Sequence, residues 1–162
     1  MGNCCGGNLT HDVIVDITGY NFLPEKLINS GGEEVDSKLA KNVYLVLLFF
    51  SANYCNQSKL MLPTMLDYYK EWNKDLRQIE FIYVSLDKKD EDFNSHFTNT
   101  QPLFAIHHSN KEFIKDMKTK FNVVTPPDFV VMNRKGEVVS DSVKYTFTKN
   151  KKDDINEWLM KK

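Results

Sequence analysis

The most constraining feature of the chain is its longest apolar run, which covers residues 43–50 with the sequence VYLVLLFF. This run is far shorter than the roughly 18 apolar residues that span a bilayer. It is instead typical of a strand that is buried on both faces of a sheet. We therefore expect residues 43–51 to form a central strand.

Helices and further strands alternate around this run. Apolar residues recur at helical spacing after Cys55, Asn110 and Asp153, whereas 79–86, with the sequence IEFIYVSL, is typical of another buried strand. Two short apolar segments joined by a turn that contains Gly136 predict a closing hairpin. The predicted strands are 13–17, 43–51, 79–86, 129–132 and 137–140, and the predicted helical segments are 23–28, 36–41, 55–73, 93–98, 110–121 and 153–162.

This order of elements predicts an α/β domain. Strands that alternate with helices and end in a hairpin imply a central mixed β-sheet flanked by helices on both faces. A chain of 162 residues is long enough for one such domain and leaves little room for a second. We expect a flexible polar tail at residues 1–11 and a single domain at residues 12–162.

Charge and cysteine content narrow the range of functions. There are 21 basic and 22 acidic side chains, so the sequence lacks the basic excess that would indicate a nucleic-acid partner.

The three cysteines, Cys4, Cys5 and Cys55, do not form a secreted disulfide framework, which favours a reducing cytosolic setting. No Cys/His spacing suits structural zinc, and we expect His107 and His108 to be surface residues. No metal or other cofactor is therefore predicted.

The segment after the central strand, SANYCNQSK at 51–59 with Pro63 following, resembles the FSASWCPPCR…TP pattern of tryparedoxins and nucleoredoxins. Three later segments occur in the family's order and spacing. They are VSLD at 84–87, QPLFA at 101–105, and FNV at 121–123 followed by Pro127 and Gly136. Together they resemble the thioredoxin-like superfamily, nucleoredoxin/tryparedoxin type, over residues 20–145. The resemblance implies a thioredoxin fold.

Departures from the family pattern fall inside the redox motif. Tyr54 replaces the tryptophan, Asn56 and Gln57 replace the two prolines, and Ser58 replaces the resolving cysteine, so the motif is CxxS. In a dithiol motif the second thiol resolves the mixed disulfide that the first one forms, and a hydroxyl cannot do this. The usual dithiol reductase cycle is therefore excluded for residues 55–58 alone.

The resemblance implies that Cys55 begins a helix, whose dipole and free N–H groups stabilise a thiolate. Ser58, whose hydroxyl could donate to that sulfur, and Pro127, the expected cis-proline, complete the implied catalytic set. Tyr54 and Pro126 are implied to contact the substrate. Pro126 has no N–H to pair with a client backbone. In an alternative register, Pro126 itself would be the cis residue.

Two functions remain open from the sequence. Cys55 could act as the monothiol of a thioredoxin/tryparedoxin-type oxidoreductase, exchanging with a low-molecular-weight thiol such as glutathione or holding a protein client as a mixed disulfide. Cys4 or Cys5 could then act as a resolving thiol. Alternatively, Cys55 is a relic, and the domain is a non-catalytic interaction module or scaffold.

The first residues, MGNCCG, resemble an N-myristoylation signal. Removal of Met1 would expose Gly2 for acylation, and Cys4 and Cys5 could carry palmitoyl chains. One myristoyl chain binds membrane only marginally, and residues 1–25 contain no lysine or arginine that would supply a second signal. We therefore expect acyl chains to tether the domain to the cytoplasmic face of a membrane. The alternative is an unmodified tail on a cytoplasmic protein.

Overall fold

A computed structural model describes residues 22–161 of the chain. The strands are β1 (Lys26–Ile28), β2 (Glu34–Asp36), β3 (Leu45–Ser51), β4 (Ile79–Ser85), β5 (Phe104–Ile106), β6 (Asp128–Asn133) and β7 (Val138–Ser140). The helices are α1 (Lys38–Lys41), α2 (Asn56–Trp72), α3 (Asp90–Phe97), α4 (Lys111–Lys120), α5 (Val143–Thr148) and α6 (Asp154–Met160). None of these helices is both long enough and apolar enough to cross a membrane.

Within the described residues, seven strands form one mixed sheet in the order β2-β1-β5-β4-β3-β6-β7. β3, β4 and β5 are parallel, whereas β1, β2, β6 and β7 pair in an antiparallel manner. β3 lies between β4 and β6, and every residue of β3 and β4 is buried. The predicted central mixed sheet is therefore confirmed.

Helices cover both faces of this sheet, and alternate residues of β3 supply the two cores. Leu47 and Phe49 face α2, α3, α5 and α6, in a core rich in aromatic rings. Leu48 and Phe50 face α1 and α4 on the opposite side. The ring of Phe49 stacks on that of Phe129 with centroids 5.1 Å apart, which packs β3 against β6.

The first described elements differ from the prediction. Residues 23–28, expected to be a helical turn, contain strand β1, which forms a hairpin with β2. The side-chain oxygen of Asn29 accepts hydrogen bonds from the N–H groups of Gly31 and Glu33, at 2.9 and 3.0 Å. Gly32 has a φ of 81°, which glycine adopts without steric cost. This turn chemistry favours strand pairing over a short helix.

The remaining predicted elements that fall within the described residues are present, with ends shifted by at most three residues. Strand β5 and helix α5 were not predicted, because three and six residues are too few to show a clear period. The strand predicted at 13–17 lies outside the described residues.

Helix α2 buries one apolar stripe and leaves another apolar residue in solvent. The buried residues are Ser58, Met61, Leu62, Met65, Tyr68 and Trp72. Leu60, by contrast, is 80% exposed. The inward stripe therefore follows Met61, Met65, Tyr68 and Trp72, at the three- and four-residue spacing of one helix face.

Met65→Ala and Leu60→Ala test this orientation as a matched pair. We expect Met65→Ala to lower the free energy of unfolding by about 2–5 kcal/mol, because it leaves a cavity in the core. Leu60→Ala should change it by about 0.5 kcal/mol or less, because the side chain is already in water. Urea unfolding followed by circular dichroism measures both. Equal losses would mean that α2 packs through a different face.

Candidate functional site

Cys55 lies where the central strand ends and the longest described helix begins. The chain leaves β3 at Ser51, turns over residues 52–54 and enters α2 at Asn56, with Cys55 as the N-cap residue. The Cys55 sulfur accepts a hydrogen bond from the backbone N–H of Ser58 at 3.4 Å. A helix N-terminus stabilises negative charge through its dipole and its unpaired N–H groups. The Cys55 sulfur therefore lies at the N-terminus of α2 and contacts one of its first backbone N–H groups.

The loop that contains the two adjacent prolines lies against the same sulfur. The Pro126–Pro127 peptide bond is cis, so the cis residue is Pro127 rather than Pro126. The thiol of Cys55 donates a hydrogen bond to the carbonyl oxygen of Pro126 at 3.4 Å. Pro127 is buried, whereas Cys55 and Pro126 are partly exposed. The fold thus brings together residues that are 71 positions apart.

Ser58 contacts the sulfur differently from the sequence-based expectation. Its side chain is fully buried, and its hydroxyl oxygen has no hydrogen-bond partner among the described residues. The expectation that this hydroxyl donates to the Cys55 sulfur is therefore wrong, since the backbone N–H makes that contact. Ser58 lies on the inward face of α2, one turn before Met61 and Leu62, so its side chain is directed into the core.

The other predicted site residues differ in how far the structure describes them. Tyr54 is 69% exposed and lines one end of a cavity of about 750 Å³ that extends to α4. Gly2, Cys4 and Cys5 lie outside the described residues.

Asp87 anchors the loop before Cys55, a role that the sequence analysis did not identify. Its carboxylate accepts hydrogen bonds from the backbone N–H of Asn53 at 2.8 Å and from the hydroxyls of Tyr83 and Ser85 at 3.2 Å each. Asp87 is only 5% exposed, so these donors take the place of solvating water. The sequence feature that could have identified Asp87 is its position, since it is an acidic residue directly after the strand predicted at 79–86.

A second buried polar contact lies at the end of β3. The Ser51 hydroxyl and Nε2 of His96 are 2.9 Å apart. Burial lowers the pKa of His96, and Lys59 acts in the same sense, whereas the Asp87 carboxylate opposes the shift. The His96 ring is therefore neutral at physiological pH.

Asp90, His107 and His108 are the described residues that come closest to a set of metal ligands, with one ligand atom from each within 4.8 Å of the others. Nε2 of His108 is 2.7 Å from Oδ1 of Asp90, and this hydrogen bond lowers the pKa of Asp90. His108 is buried, so the expectation that it is a surface residue is wrong.

The surroundings of His108 do not suit a metal ligand. When Nε2 binds a metal, Nδ1 carries a proton that is usually donated to an acceptor. Nδ1 of His107 contacts Ser109 twice, at 2.8 Å from its hydroxyl oxygen and at 3.1 Å from its backbone N. Nδ1 of His108 is buried and has no partner within residues 22–161. A hydrogen bond from Nε2 of His108 to Asp90 accounts for the short distance between these two side chains better than a shared metal ion does.

The lowered pKa of His96 predicts that acid destabilises the fold. Above the unfolded-state pKa of about 6.5, the ring is neutral in both states. Below it, the unfolded chain takes up a proton before the folded chain does, so stability falls until the pH passes the folded-state pKa. We expect His96→Asn to show a shallower loss of stability than the wild type between neutral and mildly acidic pH in urea unfolding. An unchanged slope in His96→Asn would contradict the assignment.

Comparisons with known proteins agree with this fold. Residues 42–138, more than half of the chain, match the family model described as thioredoxin-like. Nucleoredoxin from Xenopus laevis is 22% identical over 114 residues, which are 70% of this chain and 27% of that protein. Tryparedoxin from Trypanosoma brucei brucei is 22% identical over 107 residues, which are 66% of this chain and 71% of that one. The chain thus spans about a quarter of the length of the nucleoredoxins that it matches.

A solved structure shows the same fold. The crystal structure of native tryparedoxin I from Crithidia fasciculata is 24% identical and aligns with a TM-score of 0.74, over 83% of this chain and 94% of that one. The matched family segment contains the central strands, Cys55 and the cis-proline. The chain therefore belongs to the thioredoxin-like family and is of the nucleoredoxin/tryparedoxin type.

Proposed function

We propose that this chain is a monothiol redox protein, in which Cys55 forms mixed disulfides with low-molecular-weight thiols or protein clients. The observation that carries the proposal is the position of the Cys55 sulfur. It is partly exposed, lies at the N-terminus of α2, and accepts a hydrogen bond from the Ser58 N–H. A disulfide can reach a sulfur in this position, and the thiolate is the form of cysteine that attacks it.

The proposed step is one thiol–disulfide exchange. The Cys55 thiolate attacks one sulfur of a client disulfide, the client S–S bond breaks, and a new S–S bond joins Cys55 to that sulfur. The other half of the client leaves as a thiolate and takes a proton from water. Because the Ser58 hydroxyl cannot attack the mixed disulfide, a second thiol must do so to release Cys55. We propose that this is an external low-molecular-weight thiol, with Cys4 or Cys5 as the alternative.

The proline loop supports a small partner more than an extended peptide. Pro126 has no N–H, so its backbone can only accept a hydrogen bond from a client strand. In the thiol form, that carbonyl already accepts from Cys55. These features also favour the competing function, a non-catalytic thioredoxin-fold module that serves as a scaffold.

A Cys4→Ser/Cys5→Ser variant separates the two functions, because Cys55 is then the sole thiol in the chain. We expect incubation with hydroxyethyl disulfide to add one half-disulfide to this variant, as measured by intact mass spectrometry. Adding Cys55→Ser should abolish the adduct. A folded protein whose Cys55 stays unmodified would rule out the monothiol function and favour the scaffold.

Ser58→Cys should restore a dithiol site. The Ser58 hydroxyl is buried without a partner, so a thiol can replace it without breaking a hydrogen bond. An internal thiol resolves a mixed disulfide far faster than an external one, so we expect reduction of insulin disulfides on the order of tenfold faster than by the wild type. Ser58→Ala is the matched control and should stay at the wild-type rate. Absence of an internal disulfide in oxidised Ser58→Cys would contradict the proposed geometry.

We also propose that the chain is tethered to the cytoplasmic face of a membrane by acyl chains on Gly2, Cys4 and Cys5. The support for this is the sequence MGNCCG and the absence of basic residues up to position 25. Two acyl chains bind a bilayer far more firmly than one. The redox site would then act on thiols and clients close to that surface.

Gly2→Ala and Cys4→Ser/Cys5→Ser test the tether in cells that acylate proteins. We expect the wild type to sediment with membranes and Gly2→Ala to be soluble, because myristoylation requires the N-terminal glycine. The double cysteine variant should be only weakly retained, since a single myristoyl chain remains. Incorporation of labelled myristate into the wild type is the direct readout. A wild type that is soluble and unlabelled would exclude the tether.

A further inference from the structure

A groove beside Cys55 has the size of a small-molecule site. Its volume is about 750 Å³, within the range of roughly 300–1,000 Å³ that such sites occupy. Tyr54 lines one side and immediately precedes Cys55, whereas Asn122 and Val123 line the other and lead into the proline loop. The groove therefore ends at the two segments that enclose the Cys55 sulfur.

The charged side chains that line the groove are mainly basic. Its lining contains four lysines, Lys88, Lys111, Lys115 and Lys118. Three of them lie on α4 at i, i+4 and i+7, which places them on one face of the helix. Lys88, Lys111 and Lys115 are exposed and Lys118 is partly exposed.

No acidic group of the groove neutralises these lysines. The one carboxylate in the lining is Asp87, which is buried and already accepts three hydrogen bonds. The acidic residues of α4, Glu112 and Asp116, lie on other faces of the helix and do not line the groove. Among the described residues, none of the four lysines lies within ion-pair distance of a carboxylate.

We infer that this lysine groove binds a carboxylate-bearing thiol or disulfide of about tripeptide size, the class to which glutathione belongs, and presents its sulfur to Cys55. The inference rests on the proposed monothiol function and names its substrate class. A single exposed lysine–carboxylate pair contributes little. Several like charges in one concave site, however, attract and orient an anion.

The same features argue against a peptide client in this groove. An extended peptide would pair its backbone with residue 126, where proline offers no N–H. A small anion needs no such backbone pairing, because its carboxylates bind the lysines. The exchange with glutathione disulfide then joins Cys55 to one glutathione sulfur, and the second glutathione leaves as a thiolate that takes a proton from water.

The test compares three disulfides of different charge on the Cys4→Ser/Cys5→Ser protein. These are glutathione disulfide, neutral hydroxyethyl disulfide and cationic cystamine. We expect glutathione disulfide to react fastest and cystamine slowest, as measured by the second-order rate of adduct formation at Cys55 by mass spectrometry. Since screening weakens exposed charge interactions, high salt should remove the difference.

Lysine variants locate the effect in the groove. Lys115→Ala/Lys118→Ala should slow glutathione disulfide about three- to tenfold and leave hydroxyethyl disulfide unchanged. Lys70→Ala/Lys149→Ala removes the same charge from exposed positions outside the groove and should retain the wild-type rate. Equal rates for the three disulfides, or equal losses in the two double variants, would overturn the inference and leave the proposed monothiol function in place.

A protein that forms no adduct with any disulfide would instead overturn the proposed function. Cys55→Ser then tests the groove without chemistry, with S-methylglutathione as the probe. Chemical-shift changes confined to α4 and residues 85–88, and lost in Lys115→Ala/Lys118→Ala, would support an anion site there. No shifts at millimolar probe would exclude it.

Discussion

The burial of β3 on both faces is the constraint on which the site depends. Because every β3 side chain is covered, the chain first reaches solvent at the carboxyl end of that strand. Parallel pairing sets Ser51 opposite Ser85, so β3 and β4 end at the same edge of the sheet. β6 begins at that edge and brings the proline loop with it. Cys55, the anchoring Asp87 and the cis-proline therefore lie close together, although no single local segment contains all three.

The parts of the fold that could be predicted from the sequence are the long buried elements, because their apolar residues form a recognisable pattern along the chain. β3 and β4 are rich in apolar residues over seven positions each, and α2 extends for 17 residues. β1 and β5 have only three residues each. They pair through Ile28 and Ala105, which are far apart in the chain. No local window contains that information, so these strands become visible only once the sheet is assembled.

The candidate site likewise contains residues that a sequence motif identifies and contacts that form only in the folded chain. Cys55 and Pro127 could be assigned because their spacing matches a family motif. The orientation of Ser58 could not, because it depends on which stripe of α2 faces the sheet. The role of Asp87 could not either, since it depends on the N–H of Asn53, 34 positions away, as well as on the Tyr83 and Ser85 hydroxyls of β4. Contacts of this kind follow from the folded arrangement rather than from residue spacing.

The hydroxyl of Ser58 has a consequence for the timing of the proposed monothiol chemistry. A resolving thiol at that position would release a mixed disulfide in a first-order process whose rate belongs to the protein itself. With a hydroxyl there, the proposed release by an external thiol would be second order and would depend on the thiols of the surrounding compartment. An adduct on Cys55 would persist while those thiols are scarce and disappear as they are replenished. The fraction of Cys55 held as a mixed disulfide would therefore depend on the recent thiol concentration of its surroundings.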